Sequence, residues 1–251
     1  MRSIVRTALA WIGLILFAVC VIWFDSMPRI QRTAPPPKLA PAEPFALVVL
    51  DPGHGGQDSG AMCGAVMEKD LTLDVAHRVE HLLHDAGVQT LMTRSGDNYV
   101  SLADRAAMTN RAGDCILVSI HINEGNKTVA TGVETYYAER QVTAGTFLAS
   151  WLPFLQRISS SEAANLQSQS LAGFIQDALV AHTHAVNRGT KTEQFFVLAN
   201  VHQPAVLVEA GFISNKDDIN RLGDANYREE IAAAINDGIL HYREVLKANP
   251  R

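Results

Sequence analysis

Three segments of the chain carry side chains suited to metal chemistry, and each stands just beyond an apolar run. Asp51-Pro52-Gly53-His54-Gly55-Gly56 follows Ala46 to Leu50, His121 and Asn123 follow Ile116 to Ile120, and Glu209 follows Ala205 to Val208. In open α/β sheets ligands bind beyond the carboxyl ends of the strands, so two histidines and a carboxylate reach one sheet edge by three independent routes. A mononuclear catalytic zinc site takes three nitrogen or oxygen ligands and keeps a fourth position open. His54 and His121 supply two of them. Glu68 is best placed for the third, because it follows a loop punctuated by Gly60 and Gly64 that can fold back over the site. Glu209 is then left as general base and acid, taking a proton from water that zinc acidifies to a pKa of about 7 and returning it to the leaving amine of an amide.

Each of these residues also has a plainer reading. The glycine-rich segment 51–56 could be a tight turn or an anion cradle, although it lacks the Lys-Ser/Thr ending of a P-loop. His121 could be a satisfied histidine at a strand end, and Glu68 a first-turn acid that complements a helix dipole. Their convergence would then need three coincidences. A rival cluster, His77, His81 and His84, falls opposite Leu71, Val75, Val79, Leu82 and Ala86 at helical spacing and reads as a solvated face. His182 and His184, two apart on an expected helix, do not face each other. Arg94, Asp97 and Arg105 are expected to fix loops or form structural ion pairs.

The elements that must position these groups alternate along the chain. After the first strand comes an amphipathic helix over 71–86 closed by Gly87, then a strand over 88–93 and a helix capped by Ser101 that runs to about Arg111. Strands follow over 116–120 and 133–137, helical material over 141–185, strands over 195–198 and 205–208, and a last helix over about 227–247. Strands interleaved with helices indicate an α/β fold around a largely parallel sheet.

Upstream of this domain, which is expected to span 45–251, residues 7–24 carry no charge and meet the threshold for one N-terminal transmembrane helix. Arg2 and Arg6 precede the run and place the N-terminus in the cytoplasm. Residues 1–24 therefore read as an anchor in the cytoplasmic (inner) membrane, with the domain on the outer, periplasmic side. A cleaved signal segment, which would make the protein secreted, is the competing reading. Residues 25–44, with Pro35, Pro36, Pro37, Pro41 and Pro44, read as a semi-rigid spacer. The net charge is −5, but residues 1–44 carry +3 and no basic run exists to match a phosphate backbone, which argues against nucleic acid as a partner. Cys20, Cys63 and Cys115, odd in number and without a CxxC pair, offer neither a disulfide framework nor a thiolate metal site.

Six ordered blocks together resemble the zinc-dependent N-acetylmuramoyl-L-alanine amidase family, the type-3 cell-wall amidases. They are Val49 through Gly56; Gly60-Ala61 leading to Glu68-Lys69-Asp70-Leu71; Thr93-Arg94 with Asp97, Leu102, Arg105 and Asn110; Ser119 through Asn123; Asn187-Arg188-Gly189; and Val206 through Asn215. The resemblance covers most of 45–247. It implies a six-stranded sheet flanked by helices, one Zn2+ held by His54, Glu68 and His121, Glu209 as catalytic glutamate, and peptidoglycan as substrate, cut between N-acetylmuramic acid and the L-alanine of the stem peptide. Ile122 replaces the small residue more usual after the histidine, a change expected to narrow the pocket. The stretch 138–165 is longer than a minimal domain needs. It reads either as an ordinary packed helix and loop or as an insertion that plugs the site until an activator protein binds. A zinc peptidase acting within wall peptides, or a catalytically silent wall-binding relative, are the alternatives in function.

Overall fold

The computed structural model describes residues 44–125, 129–141 and 161–249. Its main sheet is built from β1 (Leu47–Pro52), β4 (Gln89–Met92), β5 (Cys115–Asn123), β6 (Val133–Tyr137), β7 (Asn187–Thr192) and β8 (Ala205–Phe212), in the order β4-β1-β5-β8-β6-β7. The first four strands of that order run parallel. β6 is antiparallel to β8, and β7 runs parallel to β6. A small antiparallel hairpin, β2 (Met62–Cys63) with β3 (Val66–Met67), leads into α1 (Glu68–Asp85).

The near-continuous apolar runs of β1, β5 and β8 follow from burial on both sheet faces. One face packs α1, α3 (Ser161–Thr183) and α6 (Ala225–Ala248), where Val75, Ile175 and Ile235 meet Val48, Val118 and Val208. The other face packs α2 (Leu102–Ala112) and α4 (Phe196–Ala199), where Ala106, Val197 and Leu198 meet Val49, Leu117 and Leu207. A further helix, α5 (Lys216–Leu222), follows β8. Local signals act as expected at several ends. Ser101 Oγ accepts from Asp104 N at 3.1 Å to cap α2, and Gly87 closes α1 at φ +73°.

Four expectations are corrected. Residues 195–198 are not a strand: Phe196–Ala199 forms a single helical turn, and an apolar run that short has no periodicity to separate the two states. β7 was not expected, because Asn187-Arg188-Gly189-Thr190-Lys191-Thr192 is polar and largely exposed, as an edge strand should be. β5 and β8 run past 120 and 208, so His121, Asn123 and Glu209 lie within strands and not after them. α1 begins three residues early, at Glu68. Among the described residues no helix is long and apolar enough to cross a membrane. The expected span in 1–24, nearly all of the spacer and most of the 138–165 stretch lie outside them.

Candidate metal centre

Strand alternation brings the chemistry together. His121, Glu209 and Glu134 are register partners on three neighbouring strands, β5, β8 and β6. Partners of this kind project to the same face with Cβ atoms about 5 Å apart. That face is the one covered by α2 and α4. His54 arrives from the loop after β1, at φ +61°. Glu68 arrives because the segment ahead of α1 folds back: Glu68 N donates to Ala61 O at 2.9 Å and Lys69 N to Ser59 O at 3.1 Å. Two glycines allow the approach. A Cβ at Gly53 would stand 2.3 Å from His121 Cε1, and one at Gly60, where φ is +63°, would stand 2.5 Å from Glu68 Oε2.

The three expected ligands meet. Donor atoms of His54, Glu68 and His121 lie within 4.8 Å of one another. His54 Nε2 is 3.1 Å from Glu68 Oε2, and His121 Nδ1 is 2.9 Å from Glu68 Oε1. Tetrahedral zinc with bonds of about 2.0–2.1 Å separates its ligand atoms by roughly 3.3 Å, so two imidazoles and a carboxylate at these spacings fit that ion with small adjustment. Electrostatics agree. Burial works against an ionised Glu68, yet hydrogen bonds and charges from His121 and His54 outweigh it and hold its carboxyl far below the usual range. Burial likewise opposes protonation of His54, and Glu68 and Asp58 overcome it, so the His54 pKa is raised.

Asp58 joins this group although the sequence by itself does not single it out. Its Oδ2 lies 2.9 Å from His54 Nδ1, which directs Nε2 toward Glu68 and fixes the tautomer a metal ligand needs. The signal available was a carboxylate four residues after the histidine in the same loop. Ile122, expected to narrow the pocket, does not: its side chain is buried in the core on the opposite face, and its backbone N–H donates to Glu68 Oε1 at 3.1 Å. A cavity of about 250 Å³ opens beside the ligands, walled in part by Tyr99, Leu102 and Val197.

Arg94 and Arg105 fix loops, as expected. Arg94 donates to the carbonyls of Pro52, Gly53, Lys69 and Gly96. Arg105 donates to Asp51 Oδ1, Pro52 O and His54 O, each at 2.6 Å, and to Val100 O. The Asp51 carboxylate, 1 % exposed, also accepts from Thr93 and Ser119. Burial raises its pKa, but Arg105 and these hydroxyls more than offset that and leave it low. Removing one member of a buried pair strands the other charge. Arg105→Met is therefore expected to cost about 3–5 kcal/mol in chemical denaturation at pH 7, less as acidification protonates Asp51. A cost under about 1 kcal/mol would show that the pair does not hold the loop. Asp97 binds Gly56 N and Lys69 Nζ. His77, His81 and His84 are exposed, as read, with His77 near Glu80 and His81 near Asp85.

Glu209 stands beside the ligands on β8. It is buried, and its Oε2 has no hydrogen-bond partner among the described residues. Burial, with the charges of Glu68 and Glu134, pushes its pKa well above the usual value. Glu134 is the opposite case. It accepts from Asn123, Tyr136, Arg188 and Lys191, and these partners outweigh burial and keep it ionised.

Comparison with known proteins gives the same direction. A family model described as N-acetylmuramoyl-L-alanine amidase matches residues 48–241. The chain is 35 % identical over 195 residues to the N-acetylmuramoyl-L-alanine amidase LytC of Bacillus subtilis, covering 78 % of this chain but 35 % of that longer protein. The crystal structure of an N-acetylmuramoyl-L-alanine amidase from Clostridium difficile 630 superposes with a TM-score of 0.67 at 30 % identity, covering 80 % of this chain and 98 % of that one. The CwlD amidase of Clostridioides difficile, solved in complex with the GerS lipoprotein, gives a TM-score of 0.68 at 26 % identity over 80 % of this chain and 99 % of that one. With a match over most of its length and a shared fold, the chain belongs to the N-acetylmuramoyl-L-alanine amidase family of peptidoglycan hydrolases.

Proposed function

We propose that the chain hydrolyses the amide between N-acetylmuramic acid and the L-alanine of the stem peptide, with one zinc held by His54, Glu68 and His121 and with Glu209 as general base and acid. One observation carries this reading. Two histidines and a glutamate converge within 4.8 Å, beside a buried carboxylate with an unpartnered oxygen on the neighbouring strand. Zinc, when bound, supplies Lewis acidity that lowers the pKa of water to about 7 and polarises a carbonyl. The chain does the rest. Asp58 orients His54, Arg94 and Arg105 hold the loop that carries it, and Glu68 accepts from Ala61 N and Ile122 N so that its carboxylate cannot rotate away. Glu209 Oε2 takes a proton from water as the water oxygen attacks the carbonyl carbon, then gives it to the departing nitrogen as the carbon–nitrogen bond breaks. The products are a muramic acid carboxylate and a peptide with a free L-alanine amine.

Residues 1–24 are proposed as the membrane anchor, or the signal segment if cleaved, and 25–44 as the spacer that lifts the domain into the cell envelope. The complex of a related amidase with a lipoprotein supports a protein activator here, with the 138–165 stretch as the proposed point of action.

The full chain, with zinc or with a chelator, is to be incubated with isolated peptidoglycan and the products weighed by mass spectrometry. Zinc-dependent release of intact stem peptides with free N-terminal L-alanine is expected, with sugar strands left behind. Release of shorter peptides would move the chain to the peptidases. No release from either sample would leave a plugged enzyme or a binding protein, and deletion of residues 140–160 decides between them: restored release supports hydrolysis, and continued silence overturns it.

A further inference from the structure

Three arginines bound to the strands and loops of this site differ in what remains of their hydrogen-bonding capacity. Arg94 and Arg105 spend Nε and both terminal nitrogens on carbonyls, Asp51 and Thr72. Arg188, on the edge strand β7, spends only Nε, which donates to Glu134 Oε2 at 2.7 Å. Its guanidinium lies over the Phe212 ring, 4.8 Å from the centroid, and its side chain is 33 % exposed. Both terminal nitrogens lack a partner among the described residues. The group is thus held by one edge and one face while its planar fork stays free, the arrangement that takes a carboxylate in two parallel hydrogen bonds.

Charge points the same way. Lys191 also reaches Glu134 Oε2 and is 36 % exposed, whereas the Glu134 side chain is 2 % exposed. Glu134 is already satisfied at its other oxygen by Asn123 and Tyr136. Two half-exposed cations over one buried anion leave a positive charge facing solvent, one strand beyond the partner of Glu209. Strands lie about 4.8 Å apart, so β7 is roughly 10 Å across the sheet edge from β8. An extended peptide covers about 3.3–3.6 Å per residue, so the second or third residue beyond the scissile amide reaches it.

We propose that the free fork of Arg188, assisted by Lys191, is a binding site for a carboxylate of the stem peptide, so that the peptide leaves the metal centre toward β7. The proposal rests on the amidase reading above. Its direction suits the rest of the site, because Arg94 and Arg105, on the other side, are already committed.

The test uses the zinc-loaded full chain and muramoyl peptides in which the carboxylates of the second and third residues are in turn free or converted to carboxamides. The parent protein is expected to favour the acid about tenfold at one of these positions, through KM and not kcat, as one charge-assisted pair implies. Arg188→Gln is expected to collapse that preference toward unity, and Arg188→Lys to restore part of it. Glu134 keeps Lys191, Tyr136 and Asn123 in both variants, and the lysine variant serves if the glutamine one does not fold. Equal KM values for acid and amide in the parent, or an equal loss on both substrates in the variants, would overturn the proposal. If the parent cleaved neither substrate, the amidase reading would fail instead. An NMR titration of the metal-free chain with the acid and amide peptides would then decide the site. Acid-selective shifts lost in Arg188→Gln would support it, and equal response to both peptides would overturn it.

Discussion

A Glu209→Gln protein is expected to retain zinc and to lose about 10²- to 10⁴-fold in kcat, the range that a positioned general acid–base contributes. Glutamine preserves the volume at a buried position but can neither take nor return a proton. The side chain is not among the three proposed ligands, so metal content by atomic emission should match the parent. Activity within a few-fold of the parent, with zinc bound, would move the base elsewhere. A second readout concerns stability. Because the Glu209 pKa is raised in the folded metal-free chain, its contribution is fully present below the ordinary glutamate pKa. It is lost as pH rises toward the folded value. The glutamine variant lacks that loss. Without metal it should gain on the parent as pH rises above about 4.5, by at most about 1.4 kcal/mol per unit.

Glu68→Gln is expected to abolish hydrolysis through the metal and not through the proton. Loss of a partner that only orients a ligand costs about 10–100-fold in metal affinity, and loss of the anionic ligand should exceed that. Competition with a chromogenic chelator measures it, and parental affinity in the variant would remove Glu68 from the site. The same assay at several pH values separates the ligands. Glu68 stays ionised throughout the working range because its pKa is driven far down. His54 must give up a proton held at a raised pKa. Affinity in the parent should therefore fall at least about tenfold for each unit of pH below that value, at least one proton being displaced per metal. A flat profile between pH 5 and 7 would contradict the assignment of His54. Circular dichroism guards against trivial loss, since Glu68 also accepts from two backbone amides.

Much of this site is legible in the amino-acid order, for a definite reason. A parallel sheet buried on both faces forces long apolar runs, and a charged or imidazole side chain at the end of such a run stands out. His54, His121 and Glu209 were found in that way. Glu68 was found because glycines mark a loop that can double back, and the β2–β3 hairpin is that loop. β7 was invisible, since an edge strand of polar residues carries no alternation between buried and exposed positions. The turn at Phe196–Ala199 is ambiguous in sequence because four apolar residues fit either state.

What the amino-acid order determined by itself was the class of fold and the four side chains, His54, Glu68, His121 and Glu209, that the structure brings together. These depend on local pattern: strand period, glycine punctuation and residue type. The tertiary structure alone decided which lone carboxylates belong to which cation. Asp58 orients His54, Asp51 anchors Arg105, and Glu134 gathers Arg188 and Lys191 from 54 and 57 residues away. It also decided that Ile122 turns from the pocket into the opposite core. A charge pair across strands is set by register and sheet order. Neither leaves a periodic trace in the chain, so contacts of this kind appear only when the strands are laid side by side.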